Sequence, residues 1–359
     1  MERFAMPRQL LASRKTLRAL DTLPLNRADT AALGNRCQYI QDILDHPSDD
    51  PFWSRLDHRD TVADISVPAS VIGGWYDIFL PGQLRDYRVL QDSGRSNPLR
   101  LTVGPWPHAS IEAVGMGAGE ALDFGLPLCR DEQPAKRPPV RLYVVGADKW
   151  RDFPSWPPPG YTAQRFHLRL GAALASEPPP ADAAPDGYRY DPADPTPAVG
   201  GVRMTFAAKA GAVDQAKLEA RNDVLTYTTS ALDEDAEVIG DVSAEIWFRS
   251  SPPHADVFVR LCDVDEKGRS VNVCDGLIGL TGADELTCAT VQLWPTAYRF
   301  KRGHRIRVQV SSGAFPRFNR NPGTGDPRAT ATDLRTADQQ VFHDPKHPSA
   351  VILPVRQAD

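Results

Sequence analysis

The chain has 359 residues, of which 41% are hydrophobic and 24% charged, and its formal net charge is -5 at pH 7. That composition excludes a disordered chain, and the length calls for two domains instead of one small core. The negative balance leaves no electrostatic footprint for nucleic acid or for an anionic membrane, and no apolar run approaches the ~20 residues of a membrane-spanning helix.

The basic N-terminal stretch lacks a continuous apolar region, so a soluble protein is expected, and the absence of cysteine pairing leans towards the cytoplasm. Five scattered cysteines, Cys37, Cys129, Cys262, Cys274 and Cys288, show no CxxC spacing and read as buried free thiols.

Residues 1–60 read as helices without a sheet. Leu10, Leu11, Leu17, Leu20 and Leu23 recur at helical spacing before Pro24, and Cys37, Tyr39, Ile40, Ile43 and Leu44 mark a second amphipathic helix. It is predicted to end at His46-Pro47, because a proline ring disfavours helical geometry in the residue before it. The turn that follows is expected to deliver Phe52 and Trp53 to a core.

From Thr61 the period changes. The apolar run Ala69 to Ile72 suits a buried parallel strand, Pro81-Gly82 opens a helix with Leu84, Tyr87 and Leu90 on one face, and Leu99 to Val103 forms a second strand. After His108 the sequence is loose and Gly-rich to Gly125, then basic and Pro-rich to Pro139. From Val140 onward ten short strand candidates separated by polar turns indicate a sandwich or jelly roll.

Both early apolar runs end in a Gly-aromatic turn that presents one ionisable residue, Asp77 after the first and His108 after the second. On an α/β-hydrolase sheet the triad order is Ser, then Asp, then His. The histidine accepts a proton from the serine hydroxyl, and the carboxylate holds the imidazole in the productive tautomer. Singly, Asp77 reads as a turn or cap residue and His108 as a solvated loop residue; their pairing on a strand-helix-strand unit favours chemistry. No HExxH motif or Cys/His cluster occurs, so neither a metal nor another cofactor is expected.

The stretches GGWYDIFLPG (73–82) and VGPWPH (103–108) resemble the C-terminal half of the hydrolase domain in the cocaine esterase / X-Pro dipeptidyl-peptidase family of serine hydrolases, the CocE/NonD type. YIQDILDHPSDDPFW upstream resembles the end of that family's helical cap, and the segment from LTYTTSALDEDAEVIG onward resembles its jelly-roll domain. The resemblance implies an α/β-hydrolase C-terminal remnant followed by an all-β jelly-roll sandwich. Residues 1–60 would be part of the cap, 61–139 the end of the hydrolase domain and 140–359 the jelly roll. It also implies Asp77 as triad acid and His108 as triad base, with Trp75, Tyr76, Phe79 and Trp106 lining the substrate pocket.

Two family features are missing from this reading. No G-x-S-x-G nucleophile turn precedes Asp77, and the helix that follows the histidine loop in relatives looks deleted, Asp123-Phe124-Gly125 running directly into LPLCRDEQPAKRPPV. Two parallel strands with one helix leave a sheet edge exposed, so residues 60–130 are expected to be poorly stable unless they dock on the jelly roll or on a partner.

Relatives acting on α-amino acid esters carry acidic residues two and three positions after the triad acid. Here Phe79 and Leu80 stand there, which favours an apolar ester or acyl group. The function implied is hydrolysis of ester, amide or peptide bonds by Ser-His-Asp acyl transfer, in a chain truncated and inactive alone. The alternative is a non-catalytic β-sandwich binding module retaining a hydrolase relic. The expected partners are a small-molecule ester, amide or peptide substrate and either an N-terminal hydrolase fragment or a homo-oligomer.

Overall fold

The computed structural model describes residues 14–47, 49–203 and 209–357. Leu10 and Leu11 of the first expected helix lie outside them. Residues 14–19 are helical, followed by α1 (Ala28–Leu33) and α2 (Gln38–Asp45). The second helix ends where Pro47 requires, with His46 extended at φ -116° and ψ 103°. Phe52 and Trp53 do not reach a core. The short turn Pro51–Arg55 holds them half-buried beside the end of α2, where Phe52 stacks on His46 at 4.0 Å and Trp53 meets Phe52 edge-on.

A four-stranded sheet follows, in the order β1 (Ala69–Tyr76), β2 (Leu99–Pro107), β3 (Val140–Val144), β4 (Lys149–Phe153). The first three strands are parallel, and β4 returns antiparallel. Between β1 and β2, α3 (Leu80–Asp92) buries Leu80, Leu84, Tyr87 and Leu90 against the sheet, the single apolar face expected of a crossover helix. Val140, Leu142 and Val144 join Leu101 and Val103 in the same core, so the strand expected to open the jelly roll completes this sheet instead.

The segment after His108 also departs from expectation, because it is helical. α4 (Ile111–Glu120) continues through a π-type turn, Ala121–Gly125, into the short helix Leu126–Cys129, so the helix read as deleted is present. Ser110 caps it, its Oγ accepting from the Ala113 amide at 3.1 Å. Glu120 ties it to the sheet by accepting from Ser70 Oγ at 2.9 Å and Arg137 Nη2 at 2.8 Å. Gly115, Gly117 and Gly119 obscure the helix in the sequence, since each glycine costs ~1 kcal/mol relative to alanine in a helix interior.

The remainder is a β-sandwich, in which fourteen strands among the described residues form one hydrogen-bonded network. The strand His254–Val264 pairs antiparallel with Ser270–Thr281 on one side and with Arg305–Ser311 on the other. Val257, Val259 and Leu261 meet Phe248, Phe300 and Val308 in its core. All five cysteines are free; Cys262 and Cys274 are buried, but Cys129 and Cys288 are exposed, on the short helix after α4 and on an outer face of the strand Thr287–Gln292. Among the described residues no helix is long and apolar enough to cross a membrane.

The two units dock through backbone and charge. Val145 donates to the Ala297 carbonyl at 2.9 Å and accepts from the Arg299 amide at 2.8 Å, while Ile239 and Ala297 of the sandwich enter the core of the first sheet. Buried beside them, Glu237 accepts from Arg151, from the Tyr161 hydroxyl and from Arg299 Nη2, the last at 2.7 Å. Burial pushes this carboxyl up, and the hydrogen bonds of Tyr161 and Arg299 with the charges of Arg151 and Arg299 overcome it, leaving it below its ordinary value. Removing one member of such a buried cluster strands the others. Glu237→Ala is expected to lose about 3–5 kcal/mol of stability in urea unfolding.

A buried histidine paired with a half-buried aspartate gives the sandwich a pH dependence. His343 Nε2 lies 3.0 Å from Asp186 Oδ2, which also accepts from Tyr227 at 2.8 Å. Donating to Asp186 raises His343 above 6.5, and accepting that bond lowers Asp186 below 3.8. The histidine contribution is therefore complete below pH 6.5 and lost as pH rises through the raised value. The Asp186 contribution is present above pH 3.8 and lost as pH falls through the lowered one. Thermal melts from about pH 5 to about pH 9 are expected to show a falling Tm above neutrality that His343→Gln flattens.

Candidate active site

β1 and β2 run in register, Tyr76 opposite Pro107, so the residue after each strand emerges at the same carboxyl edge. Those residues are Asp77 and His108. His108 Nδ1 lies 3.2 Å from both carboxylate oxygens of Asp77, and the Phe79 amide donates to Asp77 Oδ1 at 2.9 Å, which fixes the carboxylate. With Nδ1 facing a carboxylate, that nitrogen carries the proton and Nε2 keeps its lone pair for a base. The Asp77 side chain is 13% exposed and that of His108 30%, so the acid is shielded while the base retains an open edge.

Two glycines make this geometry. The register slips between Gly74 and Tyr76, and Trp106 folds its ring back over the gap. A Cβ on Gly104 would stand 2.3 Å from the Trp106 ring, and one on Gly74 2.2 Å from the Trp106 carbonyl oxygen. No larger residue fits at either position, and the bulge they permit re-aims the chain at His108. Ala109, immediately after, takes a left-handed φ of 55°, completing a sharp turn.

Of the four aromatic residues expected to line a pocket, Phe79 alone stands at the pair, its ring 5.2 Å from that of His108 and 56% exposed. Trp75, Tyr76 and Trp106 are core residues. Trp75 donates from Nε1 to the Tyr143 carbonyl at 2.8 Å and packs on Trp156, and Trp106 packs on Trp150. Tyr76 is buried, which pushes its hydroxyl pKa up. Leu80, the other position compared with acidic residues in relatives, is fully buried.

An acid and a base held at the carboxyl edge of a parallel α/β sheet, with a β-sandwich docked behind, define the C-terminal part of an α/β-hydrolase with a jelly-roll domain. The profile described as the X-Pro dipeptidyl-peptidase C-terminal non-catalytic domain matches residues 134–352, and that of the X-Pro dipeptidyl-peptidase S15 family matches residues 2–110. The chain belongs to the cocaine esterase / X-Pro dipeptidyl-peptidase (CocE/NonD) family. A cocaine esterase from Rhodococcus sp. (strain MB1 Bresler) is 31% identical to it over 91% of this chain and 63% of its own length.

In fold the chain is similar to an aminopeptidase from a marine sediment Thaumarchaeota archaeon, at a TM-score of 0.83 and 24% identity over 96% of this chain and 64% of that one. An α-amino acid ester hydrolase superposes with a TM-score of 0.81 and 24% identity, over 92% of this chain and 62% of that one. The chain thus spans about three fifths of the length of these relatives.

Because the pair depends on the bulge, Gly74→Ala is expected to destabilise the chain by about 1–3 kcal/mol, the cost of overpacking a closed contact. It is also expected to release His108 from Asp77, seen as loss of the hydrogen-bonded imidazole signal in nitrogen NMR.

Proposed function

We propose that this chain supplies the acid and the base of a Ser-His-Asp hydrolase that cleaves ester or amide bonds by acyl transfer, with the serine coming from sequence outside these 359 residues. The observation that carries this reading is the His108 imidazole held on both oxygens of Asp77 at the ends of adjacent parallel strands. His108 Nε2 would take the proton of the serine hydroxyl during attack and return it to the leaving group, while Asp77 stabilises the imidazolium that forms in between. No G-x-S-x-G turn occurs in the chain, so the 359 residues alone are expected to have little or no activity.

The surface fits a missing neighbour. β1 lies at the edge of its sheet, and α4 with its extension exposes an apolar stripe of Ile111 (88%), Val114 (67%), Leu122 (63%) and Leu126 (40%). These residues recur at helical spacing on one face, as on a helix that packs against another layer. The occupant that suits both is the serine-bearing part of the same hydrolase domain, whether in one longer polypeptide or as a separate fragment. Its added strand would pair with β1, and its next layer would cover the stripe.

The test is complementation. Co-expression with the serine-bearing N-terminal part of the Rhodococcus relative is expected to produce p-nitrophenyl ester hydrolysis and fluorophosphonate labelling of the added part, both abolished by His108→Ala. Labelling of the 359-residue chain alone would overturn the external nucleophile, and a complex without His108-dependent turnover would overturn the hydrolase reading.

A further inference from the structure

The outer face of the sandwich carries a groove that the acid–base pair does not use. Three antiparallel strands run side by side there, Ser243–Ser250, Ala337–Asp344 and Asp186–Tyr190. Phe248, Val341 and Tyr188 point into the core, so the positions beside them, Trp247, Arg249, Gln340, Phe342, Gly187 and Arg189, face outward. The groove holds about 650 Å³, and Arg189, Arg249, Asp284, Asp338 and Gln340 line it around Gly187.

Gly187 opens this groove. It lies opposite Gln340 in unbroken register, so no bulge calls for a glycine, and its backbone takes no left-handed conformation. A Cβ there would meet nothing closer than the Gln339 carbonyl oxygen at 3.7 Å, an ordinary contact. Neither conformation nor packing therefore requires a glycine, and a glycine weakens the strand that carries it. What the missing side chain provides is room for a ligand to approach the sheet.

The lining selects the chemistry. Two guanidiniums and two carboxylates balance, so the groove favours neither an anion nor a cation. Arg249 Nε and Nη2 donate to Gln340 Oε1 at 3.2 and 2.8 Å, which holds both side chains in place on the groove wall. Arg189 Nη2 donates to Thr336 Oγ1 at 3.3 Å, and its Nη1 lies 3.9 Å from Asp338 Oδ1. Guanidinium and amide donors thus stand among carboxylate acceptors, a mixture that vicinal hydroxyls match because each donates and accepts at once. One side-chain row further along the same face, ~7 Å away by strand geometry, Trp247 and Phe342 occupy opposed positions. The His347 ring meets theirs edge-on at 5.0 and 5.8 Å and is held by Asp344 Oδ2 at 2.9 Å. These half-buried rings form a ledge suited to the apolar C–H face of a sugar. We propose that the groove binds a neutral oligosaccharide, with hydroxyls on the charged lining and a sugar ring on the ledge. This binding is independent of the hydrolase reading and of any added nucleophile.

Cellotetraose and maltotetraose, two neutral glucose chains, are the probes, titrated into the full chain and followed by calorimetry and tryptophan fluorescence. N-acetylated, C-amidated tetraserine in parallel tests for peptide pairing at the outer edge of the strand Asp186–Tyr190. At least one saccharide is expected to bind saturably. Gly187→Val is expected to melt no lower than the parent, since valine suits a strand, and by filling the groove to bind that saccharide at least about tenfold more weakly. Arg249→Met, on an exposed position, is expected to melt like the parent and to lose at least about tenfold in affinity with its charge-assisted bonds. Absence of saturable binding by both saccharides, unchanged binding by either variant, or tetraserine binding as tight as the saccharide would each overturn the proposal.

Discussion

The first sheet depends on the junction where Glu237, Arg151, Arg299 and Tyr161 meet. A parallel sheet needs cover on its faces, and three parallel strands with two helices cannot supply all of it. The sandwich supplies the rest through Ile239 and Ala297, and the backbone pair at Val145 sets where the two units meet. Apolar contact alone would tolerate several arrangements of these surfaces. A buried carboxylate that must satisfy donors from both units tolerates far fewer, so the cluster's larger role is to fix orientation.

With that orientation set, the carboxyl edge of the sheet becomes a rigid platform. Asp77 and His108 leave adjacent strands at matching register, and the Gly74–Gly104–Trp106 bulge decides the direction in which the histidine emerges. The same bulge explains why the aromatic residues of the two loops are structural. Trp75 and Trp106 turn inward to close the core under the turn, which leaves Phe79, beyond the end of β1, to border the imidazole.

The pair and most strands were legible in the sequence because their signals are local. Gly-Gly-Trp-Tyr-Asp and Val-Gly-Pro-Trp-Pro-His each hold a strand end, a tight turn and the ionisable group within a few residues. Direction of burial was not legible, since an aromatic residue beside a catalytic group can face either side of its strand. α4 was hidden by three glycines whose cost is met by the Ser110 cap and the Glu120 ties, neither of which leaves a periodic pattern. β4, Lys-Trp-Arg-Asp-Phe, was hidden by charges that find partners across strands: Asp152 pairs with Arg141 and Arg151 with Glu237. The buried cluster of Arg260, Asp275 and Arg317 had no signature at all, because Arg317 meets the hairpin that carries the other two only in the folded sandwich.

Sheet order also limits how chemistry could be completed. β2 has β1 on one side and β3 on the other, and beyond β3 and β4 lies the sandwich. The open direction is the outer edge of β1, next to Asp77, so a strand bringing a nucleophile would have to add there and approach the exposed edge of His108 from that side. The sandwich, whose matching profile is described as non-catalytic, closes the opposite side with Gly211 against the ring of Tyr76. A substrate held at the pair would then lie between the added strand and the jelly roll.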